Sequence, residues 1–284
     1  VWSYFYFPSL SFLNFSPDHS DRHGGLGGYF AAKTRLFLLG GAEKCIIGVN
    51  ELEGMYLANI MREEIRTGSP VITFSTKKQL KGPNWSIFMK KNFLVEWKSD
   101  HQIASIDFRK NSKLIGRHNH QNICAAYACS RSLGLAPKKI QHALKDFGGL
   151  KHRGQILGTK NNVLFVNDSK ATNESSVSKS LNSFDNIRWI VGGQRKESGI
   201  SNLIPLNSNV RGIYLIGSAQ DSFSRSLGDI PHRKCDTLEK AFQTAVEDAD
   251  PGDTILLAPA CASFDQFNSF EDRGERFIEL FNKI

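Results

Sequence analysis

The chain has 284 residues, 40% of them apolar and 23% charged, and a formal charge of +8: the balance of a soluble globular protein of one or two domains. The charge is uneven, +9 over residues 1–149 and −1 over residues 150–284. Five scattered cysteines without a CxxC spacing argue against a disulfide framework or a zinc cluster, and for a reducing compartment.

The first fifteen residues are rich in aromatics. They lack the basic start of a secretory leader, and they are too short and Pro-broken to span a membrane. Val1 is not an initiator Met and opens an apolar run, so a fragment of a longer protein is expected. A strand is predicted over residues 9–15, feeding the polar loop 16–28. There Ser16-Pro17-Asp18-His19-Ser20-Asp21-Arg22-His23 suits a divalent cation or a phosphate, or simply a solvated turn. A helix follows over 29–37. Gly27 to Thr34 approaches the pattern G-x-x-x-x-G-K-[ST], but Ala32 stands where the Gly before the Lys must be, and no buried strand precedes it directly. It is not a phosphate-cradling loop, and no other segment matches.

A second helix is predicted over 50–66, with Leu57, Ile60, Met61 and Ile65 on one face and Gly68-Ser69-Pro70 ending it. Strands are expected over 71–74, 85–89, 93–97 and 103–108, with Gly82-Pro83-Asn84 turning between two of them. Helices return over 122–133 and 137–147, the latter with Pro137 at its first position. Cys124 and Cys129 are expected to face a helix core. Asn119 and Asn122 read either as N-caps or as partners for a purine edge or a metal-bound water. The dispersed basic residues, with only short pairs such as Lys77-Lys78 and Lys90-Lys91, form no stacking platform. No nucleic-acid partner is expected; a phosphate-bearing small ligand fits as well.

Beyond Gly148-Gly149 the pattern becomes strand–helix alternation. Strands are predicted over 162–167, 187–191, 211–216 and 254–258, and helices over 174–183, 219–227, 237–249 and 271–283. Such alternation means a parallel sheet with crossover helices. The predicted fold class is therefore α/β, with a domain boundary near residue 149. The apolar run 162–166 ends in Asn167-Asp168-Ser169-Lys170-Ala171-Thr172-Asn173, acid, base, hydroxyl and amide groups at the carboxyl edge where α/β sheets bind ligands. The competing reading is a turn that caps the next helix through Asn173 or Ser175. Leu150-Lys151-His152-Arg153 is either a linker or a place from which Arg153 reaches a triphosphate. Gly192-Gly193-Gln194-Arg195-Lys196 follows another strand: either a plain turn, or a close approach with Lys196 on a carboxylate. Pro259 to Phe267 follows the last strand. Cys261 has no visible His partner, so a turn lining an anion site is preferred to a nucleophile.

Taken in order, these segments resemble the Mur ligase family of ATP-dependent amide-forming enzymes. The carrying segments are Asn14 to Arg22, Ala31-Ala32-Lys33, His118-Asn119-His120-Gln121-Asn122, His152-Arg153, Asn167 to Asn173, Gly192-Gly193 with Lys196, and Ser263 to Phe270. The Asp-Ser-Lys-Ala-Thr-Asn and Ala-Cys-Ala-Ser-Phe-Asp-Gln-Phe runs are the strongest and point to the branch that adds D-glutamate. The resemblance implies the C-terminal part of a central ATPase domain over 1–149, with its P-loop half missing. It implies a complete Rossmann-like C-terminal domain with a mostly parallel sheet over 150–284.

It further implies that Lys33 is carbamylated and, with His19, holds Mg2+, and that Asn119 and Asn122 lie along ATP. Arg153 and Asp168 would meet its phosphates and ribose. Lys170 and Thr172 would face the reaction centre, while Lys196, Ser263, Phe264 and Phe270 would hold D-glutamate. The other substrate would be UDP-N-acetylmuramoyl-L-alanine, and the setting a cytoplasmic monomer without membrane or nucleic-acid partners. The family's UDP-sugar domain, its P-loop, and a metal-sharing Glu (none precedes Glu43) have no counterpart in the 284 residues. This chain by itself is therefore expected to be inactive; the alternative is a ligand- or protein-binding remnant without catalysis. The tetrahydrofolate polyglutamate ligases share the architecture, but match less well in the C-terminal residues.

Overall fold

The computed structural model describes residues 7–15, 23–39, 42–63, 70–108, 117–194, 200, 203 and 209–284, with the side chains of 117 and 118 set aside. The chain divides into two compact units: residues 1–112 with 117–147, and residues 148–284 with 113–116.

The first unit holds a six-stranded sheet in the order β1 (Leu10–Phe12), β2 (Cys45–Gly48), β3 (Val71–Ser75), β4 (Ser86–Lys90), β5 (Phe93–Lys98), β6 (His101–Asp107). β1 to β4 are parallel, and β4, β5 and β6 pair antiparallel. β2 is buried on both faces, which is why Cys45-Ile46-Ile47 is continuously apolar. One face packs under α1 (Leu26–Leu38) and α2 (Leu52–Glu63), through Phe12, Phe37, Ile47, Leu57 and Met61. α3 (Arg117–Ser132) lies against β2, β3 and β4 and buries Ile123, Cys124, Tyr127 and Ala128; Cys129 is only half-buried. α4 (Pro137–Asp146) begins with Pro137, whose missing N–H would have had no intrahelical partner. Gly27 to Thr34 lies inside α1, so this segment is helix and not a phosphate loop.

Glu96 on β5 is fully buried. Its carboxylate accepts from Tyr127 Oη at 2.6 Å, Arg131 Nε at 2.9 and 3.0 Å, and Trp85 Nε1 at 3.0 Å. Three donors, one of them shared between both carboxylate oxygens, offset the desolvation of this charge and tie α3 to the antiparallel edge.

The second unit has a sheet ordered β11 (Arg233–Asp236), β10 (Val210–Ile216), β9 (Ile187–Gly192), β12 (Thr254–Leu257), β8 (Val163–Asn167), β7 (Gln155–Lys160). All neighbours are parallel except β7 and β8. Trp189, Val191, Leu215 and Leu256 point to one face, under α5 (Glu174–Leu181) and α6 (Gln220–Leu227). Phe165, Ile190, Tyr214 and Leu257 point to the other, under α7 (Leu238–Glu247) and α8 (Phe270–Lys283). This is the period-two alternation of strands covered on both sides.

The order has a functional consequence. From β8 the chain leaves through α5 on one face; from the adjacent β12 it leaves through α8 on the other. Adjacent parallel strands whose exits diverge open a crevice at their carboxyl ends, the position where doubly wound sheets bind ligands.

Candidate functional site

Four loops meet at the carboxyl edge of the second sheet, and backbone bonds join them. Asp168 N donates to Leu257 O at 2.8 Å, and Ala260 N to Ala171 O at 2.9 Å. Gly192 N donates to Pro259 O at 2.9 Å, Gly193 N to Ile216 O at 3.0 Å, and Gln194 N to Ala262 O at 2.9 Å. Gly193, at φ +136, allows this approach, since a Cβ there would lie 2.4 Å from Ala262 O. Ala260 holds φ +59, a conformation disfavoured for Ala, where the chain turns from β12 into the crevice.

Arg273 on α8 is the hub. It is fully buried, yet it has the surroundings of a carbonyl-binding cation. Nε donates to Ser169 Oγ at 3.0 Å, and Nη2 to Ser169 O at 2.9 Å and Cys261 O at 3.1 Å. Nη1 reaches Ala262 O at 3.4 Å. One guanidinium thus ties the loop after β8 to the loop after β12. Burial lowers its pKa to about 10, against the opposing influence of Cys261 and Asp265, so it stays charged at neutral pH.

A second network fixes the entry from residue 150. Asn167 Oδ1 accepts from Ser169 N at 3.2 Å, which orients the amide. Its Nδ2 therefore donates to Gly274 O and to His152 Nδ1, both at 3.0 Å. His152 must then carry its proton on Nε2, which faces Glu275 Oε1 at 3.3 Å. His152 is buried with φ +61, and His152 O accepts from Lys170 N at 3.0 Å. Gly274 is small for a reason: a Cβ there would lie 2.2 Å from His152 Nδ1.

Against this frame the residues singled out from sequence fall as follows. Asp168 is buried, accepting from Gly154 N at 3.1 Å and from Ser180 Oγ. Burial raises its carboxyl above the ordinary value; those two hydrogen bonds and the Arg153 charge only partly oppose it. Arg153 is exposed in the turn that Asp168 pins. Lys170 is half-buried, its Nζ 4.0 Å from the centroid of the Phe270 ring. Thr172 is half-buried on the same loop. Ser263 is buried and Phe264 is 68% exposed, both on the loop after β12, and Phe270 is the first residue of α8. The structure thus sets Lys170 against Phe270, ties Asp168 to the turn that carries Arg153 through Gly154, and ties the loop of Thr172 to the loop of Ser263.

Asn173 is the N-cap of α5, accepting from Ser176 N at 2.9 Å, so the capping reading holds for that residue. In the first unit, Lys33 is exposed on α1 with its Nζ 5.0 Å from the Tyr29 ring centroid. Asn119 and Asn122 lie within α3 and are not its N-cap; Asn122 Nδ2 donates to Asn119 Oδ1 at 3.4 Å. His19, with the rest of residues 16–22, and Lys196 lie outside the described residues.

Arg273 and Asn167 were missed from sequence as framework residues. Arg273 had a signal: with Phe270, Gly274, Phe277 and Leu280 it shares one helical stripe, a charge where apolar residues belong.

Residues 3–130 match the Mur ligase middle domain, and residues 152–261 match the Mur ligase glutamate ligase domain. The chain belongs to the Mur ligase family. Mur ligases are ATP-dependent amide ligases, and the α/β architecture above is theirs. This Mur ligase chain is 52% identical over 271 residues to a UDP-N-acetylmuramoylalanine–D-glutamate ligase of Cereibacter sphaeroides (strain ATCC 17029 / ATH 2.4.9), covering 94% of the chain and 57% of that protein. A protein of the same name from Dinoroseobacter shibae is 51% identical over 267 residues, with the same two coverages of 94% and 57%. The chain therefore spans a little over half the length of these curated relatives. Among solved structures, MurF from Acinetobacter baumannii superposes with a TM-score of 0.67 at 17% identity, covering 96% of this chain and 60% of that one. E. coli FolC, solved with DHPP and ADP, gives 0.67 at 17%, covering 97% and 62%. At such identities the likeness concerns the fold.

Proposed function

We propose that the protein carrying this chain is a UDP-N-acetylmuramoyl-L-alanine:D-glutamate ligase of peptidoglycan precursor synthesis, acting in the cytoplasm. The observation that carries the reading is the meeting of the loops after β8 and β12 at the carboxyl edge of the second sheet. Asp168 to Thr172 and Ala260 to Phe264 are locked together there by Arg273, in a chain half-identical to ligases of that name.

In this reading ATP transfers its γ-phosphoryl to the L-alanine carboxylate, releasing ADP. The D-glutamate amine attacks the acyl phosphate carbon, and the C–O bond to phosphate breaks as the amide forms. Arg153 and Lys170 meet phosphate oxygens as they gain negative charge, and preorganised cations of this kind supply most of the rate. Asp168 sets the Arg153 turn through Gly154 and lies toward the ribose. Thr172, Lys196, Ser263, Phe264 and Phe270 hold D-glutamate, and Asn119 and Asn122 lie along the nucleotide.

As an ammonium, Lys33 repels cations. As a carbamate, on its exposed position in α1, it would offer the hard oxygens that Mg2+ takes, and His19 is the second ligand of this reading. Mg2+ would neutralise the charge of the phosphates.

The test joins this chain behind the segment that precedes the matching region in the Cereibacter sphaeroides relative. Phosphate release should require ATP, UDP-N-acetylmuramoyl-L-alanine and D-glutamate together, with L-glutamate inert. Turnover without D-glutamate preference would reject the reading. The 284-residue polypeptide alone, lacking any G-x-x-x-x-G-K-[ST] segment, should release no phosphate above background; measurable turnover would contradict this.

A further inference from the structure

We propose that Phe270 is a positioning residue whose ring face seats the Lys170 ammonium and aims it into the crevice. The inference rests on the ligase reading above and deepens it. Lys170 Nζ lies 4.0 Å from the Phe270 ring centroid, contact distance for a cation over an aromatic face. Both partners are fixed from behind. Lys170 N is held by His152 O at 3.0 Å. Phe270 O accepts from Ser169 Oγ at 2.8 Å, and that hydroxyl in turn accepts from buried Arg273. The edge of His152 meets the same ring, with centroids 6.4 Å apart at 80°.

Among the described residues the ammonium's partner is this ring and not a carboxylate. The difference matters chemically. A carboxylate would compete with the incoming phosphate for the cation and repel that phosphate. A ring holds the cation through its quadrupole, carries no net charge, and yields to an anion that offers charge-assisted hydrogen bonds.

Two measurements test this. In the 284-residue chain, the Lys170 ε-methylene protons, assigned through Lys170→Arg, should be shifted upfield by the ring. The shift should persist in Phe270→Trp and vanish in Phe270→Leu. Lys170 protons at the solvent-exposed value in the unsubstituted chain would overturn the seat.

In the completed ligase described above, Phe270 is replaced by 3,4,5-trifluorophenylalanine, which keeps the shape and weakens the π face. The expected kcat is about threefold to thirtyfold lower, separate from any rise in KM that the contact of Phe270 with D-glutamate brings, and Phe270→Trp should restore most of the kcat. An active parent whose fluorinated variant is equally fast overturns the positioning role. An inactive parent rejects the ligase reading instead, and the proton shifts then decide the seat alone.

Discussion

Arg273 shows how a single buried charge can hold together the loops of a candidate site. It is a cation with carbonyl and hydroxyl partners, three of its four acceptors being backbone oxygens of the loops that form the crevice. Arg273→Met would keep the volume and leave those oxygens without donors, at a cost of about 2–4 kcal/mol in urea unfolding of the chain. A loss below roughly 1 kcal/mol would mean that the loops hold without it. Because the pKa, though lowered, stays near 10, no stability transition below pH 9 should trace to this residue.

Asp168 works in the opposite sense. Burial raises its folded-state pKa, so its favourable contribution is complete below the unfolded carboxyl value and is lost as pH rises through the folded one. Above that folded value the carboxylate is less favourable in the fold than its protonated form. Asp168→Asn should therefore melt at or above the parent temperature at neutral pH, the difference shrinking below pH 4, while ATP-dependent turnover of the completed ligase falls. A large drop in melting temperature at pH 7 would show that the hydrogen bonds to Gly154 and Ser180 outweigh desolvation.

At the level of elements, the site depends on backbone approaches that only small residues permit. Gly274 on α8 packs its Cα face on the His152 ring. Gly274→Ala should cost about 2–4 kcal/mol, because both the helix and the buried ring must shift. Hydrogen exchange should report the loosening at residues 152–154 and 167–170 first. Protection lost uniformly across the unit would contradict the local account.

The strands legible in the second unit were those with an apolar run ending abruptly in polar groups: β8, β9, β10 and β12. Their tips mark the crevice because no packing need places Asp168, Lys170 or Ser263 there. β7 was illegible because Gln155–Lys160 is a half-exposed edge strand without alternation. β11 was missed because Arg-Lys-Cys-Asp buries only its Cys. α3 begins five residues before the predicted start of 122 because His118 to Gln121 is polar throughout yet helical. Arg273 stayed hidden because an arginine between two acids and a glycine reads as solvated surface. Its role comes from joining Ser169, 104 residues away in sequence, to Cys261 and Ala262, 12 and 11 away.

For the whole molecule, our proposal seats amino-acid recognition in the second unit, on the strand order and the four-loop assembly. That claim predicts a local, stereospecific response. The most direct test is an amide-resolved NMR titration of the 284-residue chain with D-glutamate and, separately, L-glutamate. Saturable shifts should concentrate on residues 168–172 and 261–264 with the D enantiomer and be absent with the L. Equal responses to both enantiomers, or shifts centred away from these two loops, would contradict it.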